Sequence, residues 1–237
     1  YITAAVQLGF ISGTLVFAYL AIADRLSARR VFFTCSLAGA LANIGLLAAP
    51  QGLTELLLLR FATGFFLAGI YPVGMKIAAG WYEQGLGRAL GYLVGALVLG
   101  TAFPHLIRSS GTELPWQQVM IGVSVLAAVG GVLMLVLVPD GPYLPKGSAF
   151  NPRSLAIIFR SKLFRASAFG YFGHMWELYS LWAFIPIWLL AYSETSGINL
   201  NVSLWSFLVI AIGFFGCAVG GVVSAKVGSA KVCLLNR

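Results

Sequence analysis

Charged residues are scarce in this sequence, and their scarcity decides the class of protein. Only 9% of the 237 residues are charged, whereas a soluble domain carries about 25%. Hydrophobic residues make up 59% of the chain, and its mean hydropathy is +0.91. A polar surface cannot be built from this composition, so a water-soluble enzyme is excluded. A nucleic-acid-binding protein is excluded as well, although the net charge is +8.

Motifs for cofactor or metal chemistry are also lacking. The three cysteines, Cys35, Cys217 and Cys233, show no CxxC spacing, so neither a disulfide framework nor a zinc site is indicated. The chain has no phosphate-binding loop, no HExxH and no nucleophile elbow. We therefore expect no enzyme activity, no cofactor and no metal.

Long apolar runs dominate what is present. About 20 apolar residues cross the roughly 30 Å hydrocarbon core of a bilayer. Seven runs reach that length, at 3–23, 31–49, 53–79, 89–107, 116–138, 166–193 and 203–225. They are too long for strands and lack a period of two. The sequence predicts an all-α integral membrane protein, a polytopic helical bundle with seven transmembrane helices in contact with the lipid bilayer.

The basic residues fall on every second connection between these spans. Thirteen of the fifteen do so, and Arg60 and Arg108 are the exceptions. Cytoplasmic loops carry an excess of Lys and Arg. The pattern therefore predicts that residues 24–30, 80–88, 139–165 and 226–237 are cytoplasmic and that residue 1 lies near the outer face. The plasma (inner) membrane is the expected location.

Two basic turns, 201 residues apart, suggest an internal repeat. The first runs from Leu20 to Arg30 and contains Asp24-Arg25-Leu-Ser27; the second runs from Gly221 to Lys231 and contains Ala225-Lys226-Val-Gly228. Both resemble the signature turn of the major facilitator superfamily, in which a glycine and three residues precede Asp-Arg/Lys-x-Gly. Leu20 and Ser27 replace the two glycines, and Ala225 replaces the acid.

Two further segments resemble helices of the same family. The sequence Leu56-x-x-x-Arg60-x-x-Thr63-Gly64 is similar to the helix-four motif, and the glycines from Gly87 to Gly100 are similar to helix five. The resemblance implies a fragment of a twelve-helix fold that contains helices two to eight. It divides the chain into an N-terminal bundle (1–138), a cytoplasmic linker (139–165) and the start of a C-terminal bundle (166–237).

The resemblance also implies roles for the basic turns. In the family such a turn bridges to neighbouring helices in one conformation and releases in the other. The gating residues would be Asp24, Arg25, Arg29, Arg30, Lys226, Gly228 and Lys231. The alternative is that these bases only set topology. Lys76, at the end of its span, is expected to be a snorkelling anchor.

Ionisable residues inside spans are candidates for binding the substrate or protons. Arg60 lies about 10 Å into its helix at 1.5 Å per residue. His174 and Glu177 are spaced i, i+3 and so lie on adjoining helical positions. Trp176, Tyr179 and Trp182 are candidates for lining the same cavity. The alternatives are a snorkelling arginine, a self-satisfied polar pair and an interfacial aromatic belt.

Together these features predict a secondary transporter that moves a small solute by alternating access, with protons as a candidate coupling ion. A seven-helix receptor and a transport-inactive fragment or scaffold are the alternatives. Two glycine stripes, Gly91 with Gly95 and Gly216 with Gly220, permit close helix packing. We expect the two helices to touch there.

Overall fold

The computed structural model describes residues 2–48, 52–109, 115–143 and 157–228. The regular secondary structure of these residues is helical, without a strand. The helices are α1 (Ile2–Tyr19), α2 (Ile22–Arg25), α3 (Ala28–Ala48), α4 (Leu53–Leu67), α5 (Tyr71–Trp81), α6 (Leu86–Ser109), α7 (Trp116–Leu137), α8 (Lys162–Ser196), α9 (Val202–Ala211) and α10 (Gly213–Val227). The predicted all-α membrane fold is confirmed.

Six of the seven predicted spans are long and apolar enough to cross a membrane, counting α4 with α5 and α9 with α10 as one span each. The predicted span 166–193 lies within helix α8 and is not among these six. At 35 residues, α8 is about 52 Å long and exceeds the hydrocarbon core. Polar residues such as His174 and Glu177 make α8 less apolar than the other spans.

Three predicted spans are broken rather than continuous. The first ends at Tyr19, because Ala21 takes a left-handed conformation with φ 49° before the short helix α2. The third breaks between Leu67 and Tyr71, just before Pro72. Proline has no amide hydrogen and clashes with the preceding turn, which explains this break. The last span breaks at Ile212, between α9 and α10.

The helices group into two compact units. Unit 1 contains α1–α5, the first turn of α6, and α7; unit 2 contains α6 from Gly91 onward together with α8, α9 and α10. The predicted bundle boundaries at residues 138 and 166 stay predictions.

Glycines set the closest packing of unit 1. A Cβ atom on Gly64 would overlap the carbonyl oxygen of Val6, and one on Gly9 would overlap that of Phe61. The backbones of α1 and α4 therefore touch, which side chains at these positions would prevent. Helix α3 packs against α4 and α7. A buried cluster of Ala28, Val31, Cys35, Val73 and Ile77 fills the space between α3 and α5.

Unit 2 has a smaller core. Val98 and Ala102 of α6 pack against Ile210 and Ala211 at the end of α9. Trp182 is the residue of α8 that packs against this cluster. No residue of α8 or α10 is buried in the part of the chain that the structure describes.

Candidate functional site

One candidate site brings together the short helix α2, the start of α3, the middle of α5 and the stretch after α7. We call it the loop cluster and define it as Asp24, Ser27, Arg29, Lys76 and Asp140. Lys76 Nζ forms an ion pair with Asp24 Oδ1 and donates a hydrogen bond to the carbonyl oxygen of Ala23, at 2.6 Å. Lys76, predicted to be a snorkelling anchor, is thus the direct partner of the predicted gating acid.

The second half of the loop cluster is built around Asp140. Ser27 Oγ donates to both carboxylate oxygens of Asp140, at 3.0 and 3.1 Å. Arg29 Nε lies 3.9 Å from Asp140 Oδ2, which is an ion-pair distance but too long for a hydrogen bond. Ser27 stands where the family motif has glycine, and its hydroxyl supplies the contact.

A short stretch after α7 holds Asp140 in place. Trp81 Nε1 donates to the Pro139 carbonyl at 3.2 Å, and the Tyr143 amide donates to the Gly80 carbonyl at 2.9 Å. A Cβ on Gly141 would overlap the backbone of Gly80, so this approach requires glycine. The contacts fix the end of α7 against the end of α5 and thereby bring Asp140 to Ser27.

The other predicted gating residues take no part in this cluster. Arg25 and Arg30 are exposed, as are Lys226 and Gly228 at the end of α10. Gly228 ends that helix with φ 92°, and its amide donates to the Ser224 carbonyl at 3.0 Å. Lys231 lies outside the described residues.

A second polar site lies inside unit 1, and we call it the arginine network: Asn43, Arg60, Met120 and Ser124. Arg60 Nη1 donates to Asn43 Oδ1 at 3.3 Å, and Arg60 Nη2 lies 3.7 Å from Met120 Sδ. Asn43 Nδ2 in turn donates to Ser124 Oγ at 2.9 Å and approaches the Met120 carbonyl at 3.4 Å. The arginine is thus anchored to α3 and α7.

Sequence reasoning missed Asn43 and Ser124, although a signal for Asn43 exists. Asn43 and Arg60 are nearly equally distant from the turn formers at 50–52 that separate α3 from α4, seven residues before them and eight after them. In a helical hairpin, residues equidistant from the turn reach the same depth. A lone amide in one apolar helix, at the depth of a lone arginine in the next, therefore predicts their contact.

In unit 2 the predicted residues of α8 are mostly exposed. His174 Nδ1 lies 3.9 Å from Glu177 Oε2, and their side chains are 63% and 83% exposed. Phe172, Trp176, Tyr179 and Ala183 line one shallow, open groove along the helix. Trp182 instead stacks edge-on against Tyr179 and reaches the core. Five of the six candidate residues therefore lie on α8 in unit 2, whereas Arg60 lies in unit 1.

The two glycine stripes differ in what lies against them. A Cβ on Gly91 would lie 2.7 Å from the Cys217 carbonyl oxygen, and one on Gly95 would lie 2.8 Å from the Phe214 ring. Both glycines thus approach α10. A Cβ on Gly216 or Gly220 meets nothing within 4 Å. The surface of α10 that meets α6 is formed by Phe214, Cys217 and Gly221 rather than by the predicted stripe.

Comparisons with known proteins show which family and which protein this chain is similar to. The family model of the Major Facilitator Superfamily matches residues 1–236. The chain is also similar to the "Uncharacterized MFS-type transporter YybF" of Bacillus subtilis (strain 168), with 25% identity over 187 residues. The match covers 76% of this chain and 46% of that protein, so the chain spans less than half of that relative. No solved structure matches the chain.

Proposed function

The chain belongs to the major facilitator superfamily, and we propose that it moves a small solute across the membrane by alternating access. The family points to a transporter rather than an enzyme, and it favours transport over the receptor alternative. The sequence has no ATP-binding loop, which supports transport driven by a gradient.

The loop cluster is the observation that carries this proposal. Its ion pairs are partly exposed: the side chains of Lys76 and Asp24 are 21% and 42% exposed. Such pairs contribute about 0–1 kcal/mol each. Contacts of this strength are weak enough to break when the protein changes conformation. A few of them together still bias the equilibrium between two conformations by a few kcal/mol. We propose that the cluster is a gate.

A charge exchange tests the gate. We expect Asp24→Asn and Lys76→Gln each to slow solute uptake into vesicles about fivefold, the effect of losing roughly 1 kcal/mol. The double variant with Asp24→Lys and Lys76→Asp restores the ion pair and should recover part of the rate. Arg88→Gln is the matched control, because Arg88 is exposed and belongs neither to the cluster nor to the predicted gating residues. Normal rates in both single variants, with normal insertion, would exclude a gating role.

We further propose that Glu177, next to His174, couples transport to protons. The support is that ionisable residues inside a membrane helix are costly and usually have a functional role. Glu177→Gln should abolish accumulation driven by a pH gradient while preserving exchange at equal solute concentrations. Glu194→Gln, at the far end of the same exposed helix, controls for loss of charge. Wild-type accumulation in the Glu177 variant would make the residue a polar group without a coupling role.

The proposed location is the plasma (inner) membrane, with residues 24–30, 80–88, 139–165 and 226–237 in the cytoplasm. The alternation of basic residues supports this orientation. In a cysteine-free background, single cysteines at Ser27 and Thr54 distinguish the two faces. A membrane-impermeant thiol reagent added to intact cells should label the cysteine at 54 and spare the one at 27. The reverse pattern would invert the topology.

A further inference from the structure

The charge of Arg60 has no counter-charge among the described residues of unit 1. Among the described residues, the three ion pairs are Arg29 with Asp140, Lys76 with Asp24 and His174 with Glu177. None involves Arg60, whose partners Asn43 and Met120 are both neutral. A cation in apolar surroundings is costly unless it is paired. Binding an anion would remove this cost.

The guanidinium group is also held in a fixed position. Asn43 is only 7% exposed, and its own amide is held by Ser124 and the Met120 carbonyl. Its carbonyl oxygen therefore accepts from Arg60 in one orientation. A binding group that is already held in one orientation loses less conformational entropy when a ligand binds.

Several donors of Arg60 remain available. A guanidinium carries five N–H donors, and the network uses one on Nη1 and one on Nη2. Nε is buried and has no hydrogen-bond partner in the described part of the chain. An arginine presents such donors as a planar fork that matches the oxygens of a carboxylate or phosphate.

We propose that Arg60, positioned by Asn43, is an oxyanion-binding site of unit 1 that accepts a carboxylate or phosphate group. Arg60 contacts the anion, and Asn43 is a positioning residue. The group belongs to a small solute or to a lipid headgroup, since Arg60 lies about 10 Å from the start of α4. The inference rests on the proposed transport function only where the bound anion is taken to be the cargo.

Thermal unfolding of the purified protein in a neutral detergent tests the site. Acetate and inorganic phosphate, each titrated from low salt, should raise the Tm of the wild type by a few degrees in a saturable manner. Arg60→Gln should remove this response. Arg108→Gln should keep it, because Arg108 is an exposed arginine at the end of α6, outside the network.

Asn43→Asp provides a second variant that does not depend on removing Arg60. The new carboxylate lies where Asn43 Oδ1 now accepts from the guanidinium, so it should pair with Arg60 internally. We expect loss of the anion response, because the guanidinium charge is then neutralised internally. A response equal to that of the wild type in either variant would overturn the site.

A third arm separates the two sources of the anion. If soluble anions give no response, the protein is placed in nanodiscs of phosphatidylglycerol or phosphatidylcholine. A Tm difference that requires Arg60 assigns the site to a lipid phosphate, and no difference in either arm overturns the proposal. Anion binding without transport of any solute would support the anion site and contradict the transport proposal. Transport without anion binding would support the transport proposal and contradict the anion site.

Discussion

Unit 1 and unit 2 differ in how closely their candidate site residues are held by neighbouring helices. In unit 1, the intramembrane Arg60 is held by Asn43, and the gating candidate Asp24 is held by Lys76. In unit 2, the Glu177 side chain is 83% exposed, and its partner His174 lies at 3.9 Å. A substitution in unit 1 therefore changes both stability and function, whereas one on α8 reports on function with little structural cost.

The packing of the two units differs in the same direction. Helix α3 buries eight residues, among them Cys35 and Asn43, whereas α8 and α10 bury none. In unit 1 the backbones of α1 and α4 touch at Gly9 and Gly64. The contrast predicts that equal substitutions will have unequal effects in the two units, and four experiments measure this.

The largest effect is expected at the contact between α1 and α4. A methyl group on Gly64 meets the carbonyl oxygen of Val6, which is backbone and cannot rotate away. Gly64→Ala should therefore lower the stability by about 3 kcal/mol, the upper range for overpacking. Gly130→Ala in α7 is the matched control, because its methyl group meets nothing within 4 Å. Thermal unfolding of both variants in detergent measures the difference, and equal Tm values would refute the close contact.

Hydropathy predicts which segments are helices but not which of them are buried. Helix α7 is the most apolar of the six spans, yet only Ser124 and Gly131 are buried in it. In lipid, apolar side chains have no preference for a protein neighbour. Burial instead follows the small residues that allow close approach and the polar residues that need partners.

The same physics determines which site residues can be recognised from the sequence. The intramembrane Arg60 and the gating acid Asp24 are recognisable because charge is rare in this chain. Their partners are harder to recognise, because Asn43 is neutral and Lys76 lies near the end of its predicted span, where a base is ordinary. The depth of Asn43 in the helical hairpin is a signal for its contact with Arg60, whereas only the helix packing identifies Lys76 as the partner of Asp24.

The second largest effect compares one substitution in both units. Asn43→Ala removes a hydrogen bond to a charged group and should cost about 2–3 kcal/mol. Asn201→Ala in unit 2 removes the side chain that caps α9, where Asn201 Oδ1 accepts from the Leu204 amide at 3.0 Å. Loss of such a cap costs about 1 kcal/mol. Chemical unfolding of both variants gives the two free energies. A larger loss at Asn201 would mean that the arginine network contributes little to stability.

The third experiment concerns the contact between α6 and α10 in unit 2. Gly91→Ala places a methyl group 2.7 Å from the Cys217 carbonyl oxygen, so we expect a loss of about 1–2 kcal/mol. Gly216→Ala and Gly220→Ala meet nothing within 4 Å and should be neutral or slightly stabilising, since alanine favours helix. The same Tm assay ranks the three variants. Greater damage at Gly216 or Gly220 would restore the stripe pairing expected from the sequence.

The smallest effect is expected at the turn between α1 and α2, where the family motif has a glycine and this chain has Leu20. Ala21, the next residue, is the position with φ 49°, and a left-handed residue other than glycine costs about 1–2 kcal/mol. Ala21→Gly removes that strain but also loses the burial of a methyl group, about 0.8 kcal/mol, because Ala21 is only 6% exposed. The two effects nearly cancel, so the Tm should stay within a degree or rise slightly. Leu20→Gly gains no relief from strain and should lower the Tm, because glycine loses more backbone freedom on folding. If Leu20→Gly is instead the stabilising change, the left-handed position lies one residue earlier, where the family motif has its glycine.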